Sequence, residues 1–488
     1  MASTRDFKSG HELPVTTQPV FNGEEEEMSD LVRENSSRAQ LRDGSASTEA
    51  NSQTPAMTPD GVVYKVYKRR WFGLIQLILL NIIVSWDWLS YASVANTAAT
   101  FYNTTPTIIN WLSTAFLFAF LVAAPGTIYA LSSSGPRLSI ITASVLILLG
   151  NWIRYGGTRA SPPNFGVTMF GQILIGLAQP FVLAAPTRYS DTWFSPRGRV
   201  SATAVASLAN PFGGALGQLI SPLFVNQPSN IPDMILYIAI ISSVATIPSF
   251  FIPSRPPTPP SAASDQSPQP ILSQIRTLFH TPTFYLLLIP FSIYVGFFNS
   301  LSSLLTQVLT PYGFSETEGG ISGAILIVVG LVAAAVTSPI VDRTKAYLFF
   351  IKLLVPVIAL CYLVFIWAPP AHTIIAAYVI CGVLGAASFS LVPIALEFLV
   401  EVSYPVGPEF SSTICWSGGQ ALGGIFIIVS GALQAGAKGN PSDNLQKALI
   451  FEAVIAIVAV PPALMLGLGK WGTGAKTRRL DIERRTVA

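Results

Sequence analysis

Asp87 stands between Trp86 and Trp88 in NIIVSWDWLSYASVAN, residues 81–96, at the midpoint of an apolar stretch from Trp71 to Tyr102. At about 1.5 Å per helical residue, either end of that stretch is roughly 24 Å away. A carboxylate so deep in hydrocarbon costs a few kcal/mol, so a specific use must justify it. Three are open: attracting a cationic solute, taking up and releasing a proton, or pairing with a polar group on a neighbouring helix. Two other patterns carry charge near helix ends. Glu397 and Glu401, at i and i+4, share one helical face, and SPIVDRTK (338–345) sets Asp342 beside Arg343. Both patterns suit ion pairing with neighbouring groups.

Enzyme chemistry has little to work with. His11, His280 and His372 fall in tails or at segment ends, and no HExxH, Walker loop or GxSxG in context occurs. Cys361, Cys381 and Cys415 lie in apolar segments without CxxC spacing and read as packing residues. We therefore expect no catalytic residues, no metal and no cofactor.

The elements that must position these groups are set by hydropathy. The 488 residues have a mean hydropathy of +0.53, and only 11% are charged, against about a quarter in soluble proteins. The net charge of +3 is scattered, which argues against nucleic acid as a partner. Twelve apolar stretches could each cross about 30 Å of hydrocarbon. They lie near 71–101, 106–131, 137–157, 165–187, 200–225, 232–253, 282–310, 319–340, 346–368, 373–399, 411–434 and 446–469. The expected fold is an all-α integral membrane protein with twelve transmembrane helices in two six-helix halves.

Expected boundaries are a disordered tail over 1–63, a first half over 64–253, a polar, proline-rich linker over 254–281, a second half over 282–469 and a basic tail over 470–488. No apolar signal-peptide core precedes the first span. With the N-terminus cytoplasmic, 18 Lys and Arg flank the inner side, the long N-terminal tail excluded. The outer loops hold four: Arg154, Arg159, Lys438 and Lys447. That bias places both termini in the cytoplasm and the sequon at Asn103 in an outer loop. The default address is the plasma membrane, with an organelle as the alternative, and the expected state is a monomer in the lipid bilayer.

Twelve spans around a central linker resemble the major facilitator superfamily. SPIVDRTK looks like the second-half copy of that superfamily's G-x-x-x-D-R-x-x loop, in which an acid and an arginine lock one conformation. The first-half counterpart, GTIYALSSSGPR (126–137), keeps Gly126 and Arg137 but has no acid, which implies asymmetric gating. Longer blocks are YKRRWFGL, INWLS (109–113), GNWIRYGG (150–157), GQILIGLAQPFVLAAPTRYSDTWFSP (171–196) and PIALEFLVEVSYP (393–405). Over roughly 64–470 they resemble the feline leukaemia virus subgroup C receptor family, linked to choline and ethanolamine transport and to haem export.

That resemblance implies a central site built on Trp88 in the first span, Gln179 in the fourth and Gln420 in the eleventh. A quaternary ammonium is bound by aromatic faces, which Trp88 would offer. Where choline transporters of the family carry a second tyrosine, in the seventh span, this chain has Asn299. Phe297 and Phe298 point elsewhere on the helix and cannot replace it. With Asp87 beside Trp88, a protonated amine would gain over a fully methylated one. Packing remains an alternative for each of Trp88, Gln179 and Gln420, the last among Gly418, Gly419, Gly423 and Gly424.

The functional expectation is a multi-pass transporter moving a small organic cation, choline- or ethanolamine-like, by alternating access, as a uniporter or coupled to an ion. Glu397 and Glu401 would pair with Arg343 or the basic inner loops, with Arg188 as a similar candidate. A haem or porphyrin exporter is the second reading, weakened by the lack of a histidine deep in any span. A non-transporting receptor or sensor is the third, weakened by the lack of a folded soluble domain.

Overall fold

Prolines and caps begin the helices where the apolar stretches begin. Pro106, Pro136, Pro282 and Pro408 each open a helix, at a position where a missing N–H does no harm. Ser315 and Glu318 form a capping box at the start of the eighth span, and Lys345 ends that helix in the left-handed region at φ 52°. The computed structural model describes residues 66–194, 196–258, 271–403 and 406–468, all within the compact unit Met57–Ala488. The expected tails at 1–63 and 470–488 lie outside the described residues.

Among the described residues twelve long helical segments result. Eleven combine the length and apolarity of a membrane span: Arg70–Phe101, Pro106–Ser133, Pro136–Arg159, Phe165–Ser190, Pro228–Phe251, Pro282–Tyr312, Glu316–Val341, Tyr347–Phe365, Ile374–Ser403, Phe410–Ala432 and Gln446–Met465. The fifth in chain order, Pro196–Phe224, is 29 residues long but diluted by glycine, serine and amide side chains. The first span packs on the fifth, the third on the fourth, the eighth on the tenth and the seventh on the eleventh. Two seams then join the first six spans to the last six: the second span against the eleventh, and the fifth against the eighth.

Glycines allow the closest approaches. A Cβ on Gly213 would collide with the Ile82 carbonyl, and one on Gly385 with the Leu326 carbonyl. These positions bring backbone to backbone where lipid supplies no hydrophobic drive for association.

Three details depart from the sequence reading. The first span is broken: a helix runs Arg70–Leu89, a 3-10 turn follows at Ala92–Val94, and a short helix spans Ala95–Phe101. Arg154 is not in an outer loop but inside Pro136–Arg159, fully buried. The linker is not wholly solvated, because Ile271–Phe279 is a helix whose Leu278 is fully buried. Ile271, Ile275, Leu278 and Phe279 recur at helical spacing, and that local period prevails over the prolines before it.

Candidate functional site

The break in the first span is the anchor of the site. Where regular helix stops at Leu89, the Asp87 carbonyl receives three side-chain donors: Ser90 Oγ at 2.8 Å, and Arg154 Nη1 and Gln172 Nε2 at 3.4 Å each. The Asp87 carboxylate turns to the same neighbours. Its Oδ2 accepts from Asn151 Nδ2 at 2.7 Å, and its Oδ1 lies 3.3 Å from Arg154 Nη1. Arg154 Nη2 also donates to Ser90 Oγ at 2.6 Å, and its guanidinium lies over the Tyr91 ring, 5.1 Å from the centroid. Both charges are fully enclosed among the first, third and fourth spans. The carboxylate is thus engaged within the first half.

Trp88, the next residue, is buried and stacks nearly parallel on Phe116 of the second span, with centroids 6.1 Å apart and planes at 10°. The fourth span meets the same place, since Gly176 lies against the Phe116 backbone. One turn beyond Gly176, Gln179 is buried, and its Oε1 has no partner among the described residues. Trp88 Nε1 likewise has none.

Across the seam, Asn299 and Gln420 are brought together. Asn299 Nδ2 donates to Gln420 Oε1 at 3.1 Å, and both residues are buried. Gly423, one turn past Gln420, leaves room for both Asn299 and Leu117, which a Cβ there would crowd. Leu117 follows Phe116, so adjacent residues of the second span meet Trp88 and the Gly423 that abuts Asn299. Phe297 and Phe298 point away as helix geometry requires: Phe297 stacks on Phe426 at 4.4 Å, and Phe298 meets Phe389 edge-on at 5.2 Å. Phe116 was not anticipated. Sequence offers no sign that this one of 29 phenylalanines, and no other, would face Trp88.

The gating candidates lie apart from this site. Arg343 is exposed in the last turn of the eighth span, and the Asp342 side chain lies outside the described residues. Glu397 Oε2 accepts from Tyr347 Oη at 3.3 Å, while Glu401, a turn later, is half-buried. At the distal end, opposite the termini, a denser set of bonds crosses between the two groups of six spans. Glu316 of the eighth span accepts from Asn96 N (2.9 Å), Thr97 N (3.3 Å) and Thr97 Oγ1 (2.6 Å) beyond the break. Asn110 and Gln307 exchange two amide hydrogen bonds, of 3.0 and 2.5 Å. Gln218 donates to the Ser302 carbonyl at 2.5 Å. A cleft of about 520 Å³ lies beside them, lined by residues that include Asn96, Thr107, Gln307, Gln434 and Asp443.

Comparison with known proteins converges on one family. Residues 77–427 match the Major Facilitator Superfamily. Solute carrier family 49 member A3 of Danio rerio is 33% identical over 404 residues, covering 80% of this chain and 85% of that protein. Choline/ethanolamine transporter FLVCR1 of Felis catus is 32% identical over 381 residues, covering 75% and 68%. Among solved structures, an inward-facing bacterial homologue of the human lysosomal transporter Spinster superposes with a TM-score of 0.62 at 15% identity. That match covers 86% of this chain and 99% of that one. A D-xylose-proton symporter gives a TM-score of 0.61 at 14% identity, covering 80% and 98%. These two establish the fold alone.

Proposed function

The chain belongs to the major facilitator superfamily and, within it, to the family of FLVCR1 and solute carrier family 49 member A3; from that premise we propose that this membrane transporter carries a small organic cation of the choline and ethanolamine class. The observation that carries the reading is the pairing, across the seam between the second and eleventh spans, of Trp88 stacked on Phe116 with Asn299 bonded to Gln420. Aromatic faces attract an onium group without requiring a proton from it. The two amides offer carbonyl oxygens that an N–H-bearing ammonium can reach and a trimethylammonium cannot use. Ethanolamine-like substrates are therefore favoured over choline. In this reading Gln179 lines the same site from the fourth span.

Asp87 then acts at one remove. With Arg154 and Asn151 holding its carboxylate, it fixes the break that sets the angle of Trp88, as discontinuous helices do at the binding sites of other transporters. Rocking of one half over the other around the central site would expose it alternately to the two sides. Glu397, Glu401, Asp342 and Arg343 serve the gate on the side of the termini, and the Glu316 contacts serve the distal one. Both termini face the cytoplasm, a placement favoured by the charge bias and strengthened by the removal of Arg154 from the outer loops. We place the protein in the plasma membrane as a monomer.

Uptake of labelled ethanolamine and choline, by cells lacking their own carriers, tests the reading. Both cations should enter with wild type, and Trp88→Ala should abolish entry of both. Failure of either cation to move, with the protein confirmed at the cell surface, overturns it.

A further inference from the structure

Glu452 stands alone in ALIFEAVIAIV on the twelfth span, with only 2% of its surface exposed. Its Oε1 accepts from Ser300 Oγ at 3.0 Å, and its Oε2 has no partner among the described residues. The contrast with Asp87 is chemical. Asp87 has an arginine and an amide, whereas Glu452 faces Tyr362 of the ninth span, and Tyr362 in turn lies among Cys361, Cys381 of the tenth span and Tyr294 of the seventh. The Tyr294 hydroxyl is committed to the Ala456 carbonyl at 2.8 Å. The eleventh span contributes Phe426, against Phe451, and has no charged residue from Phe410 to Ala432. On the twelfth span itself the nearest charge is Lys447, which is exposed. No cation pairs with Glu452 among the described residues.

A carboxylate enclosed in hydrocarbon without a counter-charge is strongly penalised, and taking up a proton is the direct relief. The position gives that proton a reader. Ser300, which holds Glu452, follows Asn299, which holds Gln420, so consecutive residues of the seventh span touch the carboxyl and the candidate cation site. The same helix supplies Ser302 and Gln307 to the distal bonds between the halves. A cation lodged beside Asn299 would favour the ionised form of Glu452, and a proton on Glu452 would oppose the cation.

We propose that Glu452 is a proton-binding site whose occupancy alternates with that of the organic cation, which makes the protein a cation/proton exchanger. As the cation enters, the carboxyl O–H breaks and its proton passes to water. As the cation leaves, the carboxylate takes a proton back. One positive charge replaces another, and no electron changes hands. The exchange rests on the cation reading above, but the proton site does not.

Two measurements on the full chain in lipid vesicles test the two parts separately. Infrared difference spectra between neutral and strongly alkaline buffer should show a carboxylic-acid carbonyl band in wild type. The band should vanish in Glu452→Gln and shift in Ser300→Ala, which carries the test if the first variant does not fold. Absence of a band that depends on these residues overturns the proton site whatever the substrate. An acid-inside gradient should accumulate labelled ethanolamine by up to about tenfold per pH unit in wild type, and the gradient's effect should disappear in Glu452→Gln. A wild-type response of unity, or accumulation driven by an acid-outside gradient, overturns the exchange. If neither ethanolamine nor choline moves while the band is present, the cation reading fails and the proton site stands.

Discussion

Arg154 Nη1 lies 3.3 Å from Asp87 Oδ1, and neither side chain has any exposed surface. Asp87 lies in the last helical turn before the first span is interrupted, next to Trp88. The pair's energetic meaning follows from its burial. Removing one member of an enclosed ion pair strands the other charge, at a cost of about 3–5 kcal/mol, whereas replacing both by apolar groups is often neutral. Asp87→Asn is therefore expected to lower the thermal stability of the purified protein sharply, with Arg154→Met restoring most of the loss in the double variant. A group that only contacted substrate would impair uptake and leave stability alone, so a stable Asp87→Asn protein would refute the structural role.

Asn299→Tyr should return a π face to the seventh span and remove the amide that bonds Gln420. A desolvated cation–π contact is worth about 2 kcal/mol, so the ratio of choline to ethanolamine uptake should rise by roughly tenfold or more. Competition between the two labelled cations measures that ratio directly. An unchanged ratio would remove Asn299 from the site.

Glu316 receives three hydrogen bonds from the first span's distal segment. Hydrogen bonds to charged groups contribute about 1.5–3 kcal/mol each. Glu316→Ala should consequently shift the protein toward a state open at the distal end. A cysteine placed at Thr107, which lines the distal cleft, should then react with an impermeant maleimide at least several-fold faster than in the wild-type background. The native cysteines are buried and should contribute little background. Equal labelling rates would show that these bonds do not hold the gate.

Glycine substitutions should separate seams from free surface. Gly385→Ala sets a methyl group into the Leu326 backbone and should destabilise the eighth–tenth span contact by about 1–3 kcal/mol. Gly156→Ala meets nothing within 4 Å and lies on an exposed helical face. There the gain in helix propensity, about 1 kcal/mol, should leave the protein as stable as before or slightly more so. Melting curves of the two variants should move in opposite directions.

The sequence by itself determined the order and extent of the spans, since lipid demands a largely apolar run for each crossing and hydropathy records those runs residue by residue, the glycine-diluted fifth most weakly. It also determined the family, and it identified Asp87 as a buried group that needed a reason. It did not determine what Asp87 meets. Asn151 and Arg154 are 64 and 67 residues away, and a periodicity argument has no access to partners across helices. The same limit placed Arg154 in a loop, because a charge near the end of an apolar run reads as a boundary until a counter-charge is seen beside it. The second aromatic face at Phe116 and the join of Asn299 to Gln420 also depend on which turns of different helices come level. Glu452 was overlooked for a related reason: one acid among ten apolar residues barely alters the hydropathy of a span, and only its enclosure, with one oxygen unpaired, gives it meaning. Spans are set by local composition, whereas partners are set by helix packing, and this chain's chemistry is carried by partners.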